Sequence, residues 1–354
     1  MAEAVENVVL VVPALDPDAR LVELLIGLYG RWQGGIVIVD DGSRHGCAHI
    51  FDKCRDLGCE VVSHPRTRGK GAALKTGFAR AAELWPEALG VVTCDCDGRH
   101  MPVDVLAVAS ALIADQAAVH VGVRDFTHAA VPRATCAYNT FTCLAIRFFC
   151  GVDVRDTQSG LRALPMAFAR DLISEPANGF EFECALLCEA REAKIDILAV
   201  PISYVADPNS PETHFDPLRD TARILGVMVE LFIKCTLTSV GCYALDIVLF
   251  ALLMQVFGAA GIGVAAVSVA TVAARVVSAG ANFAVNRRRV FGADSSAVRV
   301  VRYAVLATGI MCASAAGTTV LTGVLGTPAV PTKVVVDLAL FFVNYKLQHA
   351  WVFA

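Results

Sequence analysis

The sequence predicts an α/β nucleotide-binding domain with a mostly parallel sheet, followed by an all-α four-helix transmembrane domain. Three observations carry this. Short apolar runs between residues 8 and 98 end in prolines or aspartates and alternate with helical patterns, as parallel strands joined by crossover helices do. Four long apolar stretches fill residues 235–354, each near the ~20 residues a membrane span needs. The charge is also divided: residues 1–225 carry −9 and residues 226–354 carry +5. With 56% hydrophobic and 18% charged residues, the composition excludes an ordinary soluble enzyme.

In order, VVLVVPAL (residues 8–15) reads as a buried strand ending in a proline turn, and residues 19–32 have helical periodicity. GIVIVDDGS (35–43) is a second strand, ending in Asp40 and Asp41, and CEVVSHP (59–65) a third. GKGAALKTGFARAAELW (69–85) is a helix after a glycine-rich turn, and ALGVVTCDCDG (88–98) a fourth strand ending in Asp95 and Asp97. Ligands of such sheets sit at the carboxyl ends of the strands, so these four carboxylates are expected to line a cleft. In an extended segment residues i and i+2 point the same way. Asp95 and Asp97 could then share one Mg²⁺ or Mn²⁺ that also grips substrate phosphates. GKGAALKTG is not a P-loop, because Lys75 follows Leu74 rather than glycine.

The spans are expected at residues 235–257, 258–285, 303–330 and 334–354. The basic string NRRRVF (286–291) places that loop in the cytoplasm, as the lack of a signal peptide after Met1 does for the N-terminus. Both termini are thus expected inside a multi-pass cell-membrane protein. Asp246, Arg275 and Asp337 fall inside the spans at similar depths, at about 1.5 Å per residue, so Arg275 is expected to pair with one or both acids. Residues 218–232 read as an interfacial amphipathic helix between domains 1–217 and 233–354. Leu218, Ala222, Leu225 and Val229 share its apolar face, with Arg219 and Arg223 opposite. Thirteen cysteines, an odd number with several in apolar runs and no metal-type CxxC pair, suit a reducing compartment.

The strings VVPALDPD, IVIVDDGS, RGKGAALKTGF, CDCDGRHMP, VRDTQSGLRA and GFEFECALL resemble glycosyltransferase family 2, in its polyprenyl-phosphate sugar transferase branch, which includes dolichol-phosphate mannose synthases. VGCYALD, NFAVNRRRVF and NYKLQHAWVF resemble the GtrA-like membrane domain. The resemblance implies a GT-A fold. It implies that Pro13, Asp16, Asp40, Asp41 and Ser43 cradle the base and ribose, and that Lys70 reaches the base or diphosphate. Asp95 and Asp97 would hold the metal. Arg124 and Arg133 would bind the lipid phosphate, with Asp156, Gln158, Ser159 and Arg162 forming a loop beside sugar and acceptor. Arg99 stands where the family commonly has Gln, and His100 is expected to shape the loop. Glu181 and Glu183 share a face if extended, or favour a helix N-terminus if helical.

The implied activity is inverting transfer of a hexose from UDP-glucose or GDP-mannose to polyprenyl phosphate at the cytoplasmic membrane face. A bifunctional transferase and flippase of lipid-linked sugar is one alternative. A membrane polysaccharide synthase is another, though the Q-x-x-R-W string of that class is absent. An oligomer is compatible with the sequence, and no nucleic-acid partner is expected.

Overall fold

The computed structural model describes residues 5–126, 131–205, 217–259, 265–287, 297–325 and 329–352. It divides into two units, Met1–Met228 and Val229–Ala354.

The first unit is built on a seven-stranded sheet of order β3-β2-β1-β4-β6-β5-β7. The strands are β1 (Val8–Ala14), β2 (Ile36–Asp40), β3 (Glu60–Ser63), β4 (Gly90–Thr93), β5 (Val119–Arg124), β6 (Arg162–Pro165) and β7 (Ile197–Ile202). β6 runs antiparallel to β4 and β5, and every other pair is parallel. β1 is buried along its whole length. Its alternation feeds two cores: Val9 and Val11 pack on one face, Val8, Leu10 and Val12 on the other. Helices α1 (Ala19–Leu28), α2 (Ala48–Asp56) and α4 (Pro102–Ala114) fill the second of these cores. Helices α3 (Lys70–Leu84), α5 (Arg133–Phe149), α6 (Met166–Asp171) and α7 (Phe182–Glu192) fill the first.

Two expectations about element ends are corrected. The first helix stops at Leu28 rather than reaching residue 32, and Gly30 turns the chain at φ 76°. β4 ends at Thr93, so Asp95 and Asp97 stand in a bend beyond the strand rather than on it. The pairing of β4 with β1 runs out at Thr93, and Gly98 at φ 79° closes the bend.

In the second unit lie most of α8 (Pro217–Ala259), then α9 (Ala265–Val285), α10 (Ala297–Leu325) and α11 (Ala329–Leu347). Asn286 and Gln348 are buried and joined by a 3.0 Å side-chain hydrogen bond. Leu306 and Val352 form a small core with Phe283 and Tyr303 against them. Among the described residues no helix is long and apolar enough to cross a membrane. The side chains of Asp246, Arg275 and Asp337, and most of the basic string at 286–291, lie outside the described residues.

The approach of α3 to the sheet depends on one missing side chain. A Cβ on Gly77 would stand 2.3 Å from Val11 Cγ1. Gly77→Val is therefore expected to lower stability by ~1–3 kcal/mol through overpacking. Gly46→Ala, where a Cβ meets nothing within 4 Å, should leave the melting temperature unchanged in the same thermal scan.

Candidate functional site

A cleft of about 780 Å³ opens beyond the carboxyl ends of β1, β2, β4 and β5, with Pro13, Asp41, Asp95, Asp97 and Arg124 in its wall. On the β1–β2 side, backbone geometry organises it. Asp41 is buried, and its carboxylate accepts from the amides of Arg68 at 2.9 Å and Gly69 at 2.8 Å. His64 Nδ1 lies 2.6 Å from the same carboxylate, and His64 Nε2 lies 2.9 Å from Thr76 Oγ1. Asp41 thereby clamps the glycine turn that starts α3. Gly69 caps that helix at φ 107°, where a Cβ would fall 2.3 Å from Asn178 O.

Asp40 accepts from the Ser43 amide at 2.8 Å, and Ser43 Oγ accepts from the Asp16 amide at 2.9 Å. Neither Asp40 nor Ser43 lines the cleft; both are engaged in shaping the turn. Asp16, at φ 50°, does line it, and it accepts from the Arg44 amide at 2.8 Å and pairs with Arg44 Nε at 2.9 Å.

Lys70 joins three segments. Its Nζ lies 2.6 Å from Asp95 Oδ1 and 2.7 Å from Glu183 Oε1. The two alternatives for the FEFE string are thereby resolved. Glu181 is the residue before α7, accepting from the Asn178 and Gly179 amides, and Glu183 is in the first helical turn. Burial raises the Asp95 pKa, but the Lys70 ammonium and His100 more than offset this and hold the carboxyl well below its usual range. Burial likewise lowers the Lys70 pKa, and Asp95 and Glu183 outweigh it, holding the amine protonated. Sequence reasoning gave His100 no contact with the acids. It is buried with Nε2 3.4 Å from Asp95 Oδ2.

Asp97 accepts from the Arg99 amide at 3.1 Å and lies 3.3 Å from Arg99 Nε. Among the described residues no three of His, Cys, Asp and Glu converge as a metal cluster. The donor set still fits a hard divalent ion, which needs only one or two carboxylates when phosphates and water complete its shell. Asp95 and Asp97 both line the cleft. A Cβ at Gly160 would come 2.5 Å from Asp95 Oδ1, so that glycine preserves the carboxylate's place.

The expected acceptor-side set divides. Arg124 lines the cleft but is held by fully buried Asp156, through Nε at 2.7 Å and NH2 at 2.9 Å. Gln158 lines the cleft. Ser159 is buried, and its amide, like that of Gln158, donates to Asp156, which caps the loop. Arg162 is not placed to meet a lipid phosphate. It is 1% exposed, and its guanidinium donates to the carbonyls of Ser159, Thr157 and Glu183. Arg133 is exposed in the first turn of α5 and is not among the cleft-lining residues.

The expected apolar face of the helix at 218–232 is corrected in part. Leu225 packs against the core together with Ile224 and Met228, Ala222 is exposed, and the Leu218 side chain lies outside the described residues. Arg219, Asp220 and Arg223 line the cleft with Tyr138 and Asn139 of α5. The i, i+4 spacing of 219 and 223 was the signal available for this.

Residues 31–151 match the glycosyl transferase family 2, and residues 234–353 match the GtrA/DPMS, transmembrane domain. The chain is 28% identical over 208 residues to an uncharacterized protein of Methanocaldococcus jannaschii, covering 56% of this chain and 82% of that one. It is 27% identical over 217 residues to a UDP-N-acetylglucosamine–dolichyl-phosphate N-acetylglucosaminyltransferase of Methanococcus voltae, covering 55% and 84%. Glucosyl-3-phosphoglycerate synthase of Mycobacterium tuberculosis, solved with Mn²⁺, UDP-glucose and glycerol 3-phosphate, superposes with a TM-score of 0.47. The identity is 21%, over 63% of this chain and 79% of that one.

Lys70→Met would leave Asp95 and Glu183 facing each other without a cation, at a cost of ~3–5 kcal/mol. The lowered Asp95 pKa stabilises the fold above the unfolded value of about 3.9, and the raised Lys70 pKa does so below about 10.4. The melting-temperature gap between wild type and variant should thus be widest between those limits. It should shrink as acid protonates the carboxylates and as alkali removes the Lys70 proton, read by calorimetry across pH.

Proposed function

We propose, for a chain that carries a glycosyl transferase family 2 domain joined to a GtrA/DPMS transmembrane domain, inverting transfer of a hexose from a nucleotide sugar to polyprenyl phosphate at the cytoplasmic membrane face. UDP-glucose and GDP-mannose are the donors to try first. The carrying observation is one cleft that contains both the Asp95–Asp97 pair and a group of lysine and arginine side chains. Two anionic substrates need such a site: a diphosphate leaving group and a phosphate nucleophile. The name of the Methanococcus relative, which gives dolichyl phosphate as acceptor, supports the lipid.

Pro13, Asp16 and Asp41 bound the end of the cleft nearest β1 and β2 and take the base and ribose, with Asp40 and Ser43 holding their turn. Asp95 and Asp97 hold Mg²⁺ or Mn²⁺. When bound, the ion stabilises charge on the leaving diphosphate. Lys70 orients Asp95 and brings a fixed positive charge beside it. A phosphate monoester is already anionic at neutral pH, so its oxygen attacks the anomeric carbon without a strong general base. Positioning by Arg124, Gln158 and the Asp156 loop supplies the rest.

The C-terminal unit is read as four membrane-spanning helices that anchor the catalytic unit, with both termini in the cytoplasm and an Asp246–Arg275–Asp337 ion cluster among them. Beside the family match, exposed apolar side chains support this. Leu237, Val256, Val276, Val301 and Val335 are each more than 60% exposed, which a lipid surround accommodates and water does not.

Purified protein given polyprenyl phosphate and a panel of nucleotide sugars should form a glycosylated lipid phosphate only with a divalent ion present. Asp97→Asn should lower turnover by about two to three orders of magnitude while the melting temperature holds, the loss expected when a Lewis-acid site is impaired. Full turnover in excess EDTA, or in the variant, would refute the metal role.

A further inference from the structure

We propose that Cys150 and Cys188 form a reversible dithiol–disulfide site: exchange with a small-molecule disulfide joins their sulfurs and staples the end of α5 to α7. Neither residue lines the cleft, so the site is independent of the transferase reading.

Local structure brings the two thiols together. Cys150 caps the C-terminus of α5, its amide donating to Ile146 O. α7 carries cysteines at 184 and 188, i, i+4 neighbours on one helix face. Cys184 is 1% exposed and belongs to the core, whereas Cys188 is half-buried. The Cys188 thiol donates to Cys150 Sγ at 2.8 Å, and the Cys150 thiol donates to Met228 O at 3.7 Å. Among the described cysteines this is the only pair whose sulfurs are in hydrogen-bond contact. A disulfide places its sulfurs about 2.05 Å apart, so the approach that remains is under ~1 Å.

The two thiols have different parts in the exchange. Cys150 is 8% exposed and Cys188 is the more accessible of the two, so Cys188 attacks first. Its thiolate attacks one sulfur of the small disulfide, forming a mixed disulfide and expelling one thiolate. The Cys150 thiolate then attacks Cys188 Sγ and expels the second. Two protein thiols are oxidised, one disulfide is reduced to two thiols, and the two protein protons pass to the expelled thiolates. The hydrogen bond with Cys150, together with burial, pushes the Cys188 thiol up, which keeps its thiolate scarce at neutral pH. The pair therefore answers a sustained shift of redox poise rather than a brief burst of oxidant. Transient disulfides of this kind are compatible with a reducing compartment.

The sulfurs are 38 residues apart in sequence. The ring they close contains the Asp156 loop, β6 with Arg162, and Glu183, the carboxylate that meets Lys70. Closing a loop of this size restricts the unfolded chain more than the folded one. Oxidation thus opposes local opening of α7, the element that holds Glu183 against Lys70, while the folded geometry changes little.

The test uses full-length protein in detergent, reduced and then equilibrated in glutathione buffers of rising oxidised fraction. Free thiols are blocked with N-ethylmaleimide, and unreduced peptides are read by mass spectrometry. Wild type should yield peptides joined through Cys150 and Cys188, separated again by dithiothreitol. Cys150→Ser should stop at a glutathione adduct on Cys188, and Cys188→Ser should leave Cys150 unmodified. Cys150→Ala and Cys188→Ala substitute if serine unsettles the core. On oxidation of wild type, hydrogen exchange of the α7 amides should slow about tenfold or more, while exchange in α2, outside the ring, stays within about twofold.

Unmodified Cys150 and Cys188 in fully oxidised glutathione would overturn the proposal. So would a bond from either one to Cys184, since that marks indiscriminate pairing of crowded core thiols. A Cys150–Cys188 link that leaves α7 exchange unchanged, or slows α2 equally, would overturn the staple.

Discussion

One ammonium group holds the site together. Lys70 lies at the start of α3, Asp95 in the bend after β4 and Glu183 in the first turn of α7, and they meet only because Lys70 Nζ stands between the two carboxylates. Without that cation, two buried acids would face each other in a cleft wall, an arrangement of high electrostatic cost. The bridge also fixes one oxygen of Asp95, while Gly160 leaves room for the carboxylate beside it. Order at the metal-type bend is therefore imposed from α3 and α7, not by strand geometry.

The same logic explains why the glycine turn matters. Asp41 receives two backbone amides of that turn, so the start of α3, and with it Lys70, is positioned by a carboxylate on β2's exit. His64 and Thr76 back that carboxylate from the far side. A change at Asp41 is thus transmitted to Asp95 through α3. The proposed nucleotide and metal roles share this framework, which suits a reaction in which donor and ion bind together.

The parallel strands were legible because buried strands read as continuous apolar runs: β1, β2 and β4 announce themselves by composition, and the aspartates at or just beyond the ends of β2 and β4 by position. Helix α3 followed from its glycine turn and periodicity. Less legible were features that depend on partners distant in sequence. Arg162 reads as a free cation beside an acceptor loop, yet antiparallel β6 carries it into the interior, where three carbonyls engage it. Arg124 and Asp156 read as separate site residues and are one ion pair. Glu183 had two readings until its partner Lys70, over a hundred residues earlier, selected the helical one. Arg219 and Arg223 looked like the solvated face of an amphipathic helix, because nothing local shows that α5 and the cleft lie beside them.

On the proposed reading, the cleft is a place where two anions would be brought to one carbon, one on a soluble nucleotide and one at the end of a lipid. The acidic first half and the basic, apolar second half of the chain match that division. The most direct test of this account is the anomeric configuration of the sugar–phosphate linkage in the isolated lipid product, read by proton and phosphorus NMR against the donor. In-line attack by the acceptor phosphate predicts a phosphodiester of inverted configuration, with one nucleoside diphosphate released per lipid. A retained configuration, or sugar released to water with the lipid phosphate unmodified, would contradict it.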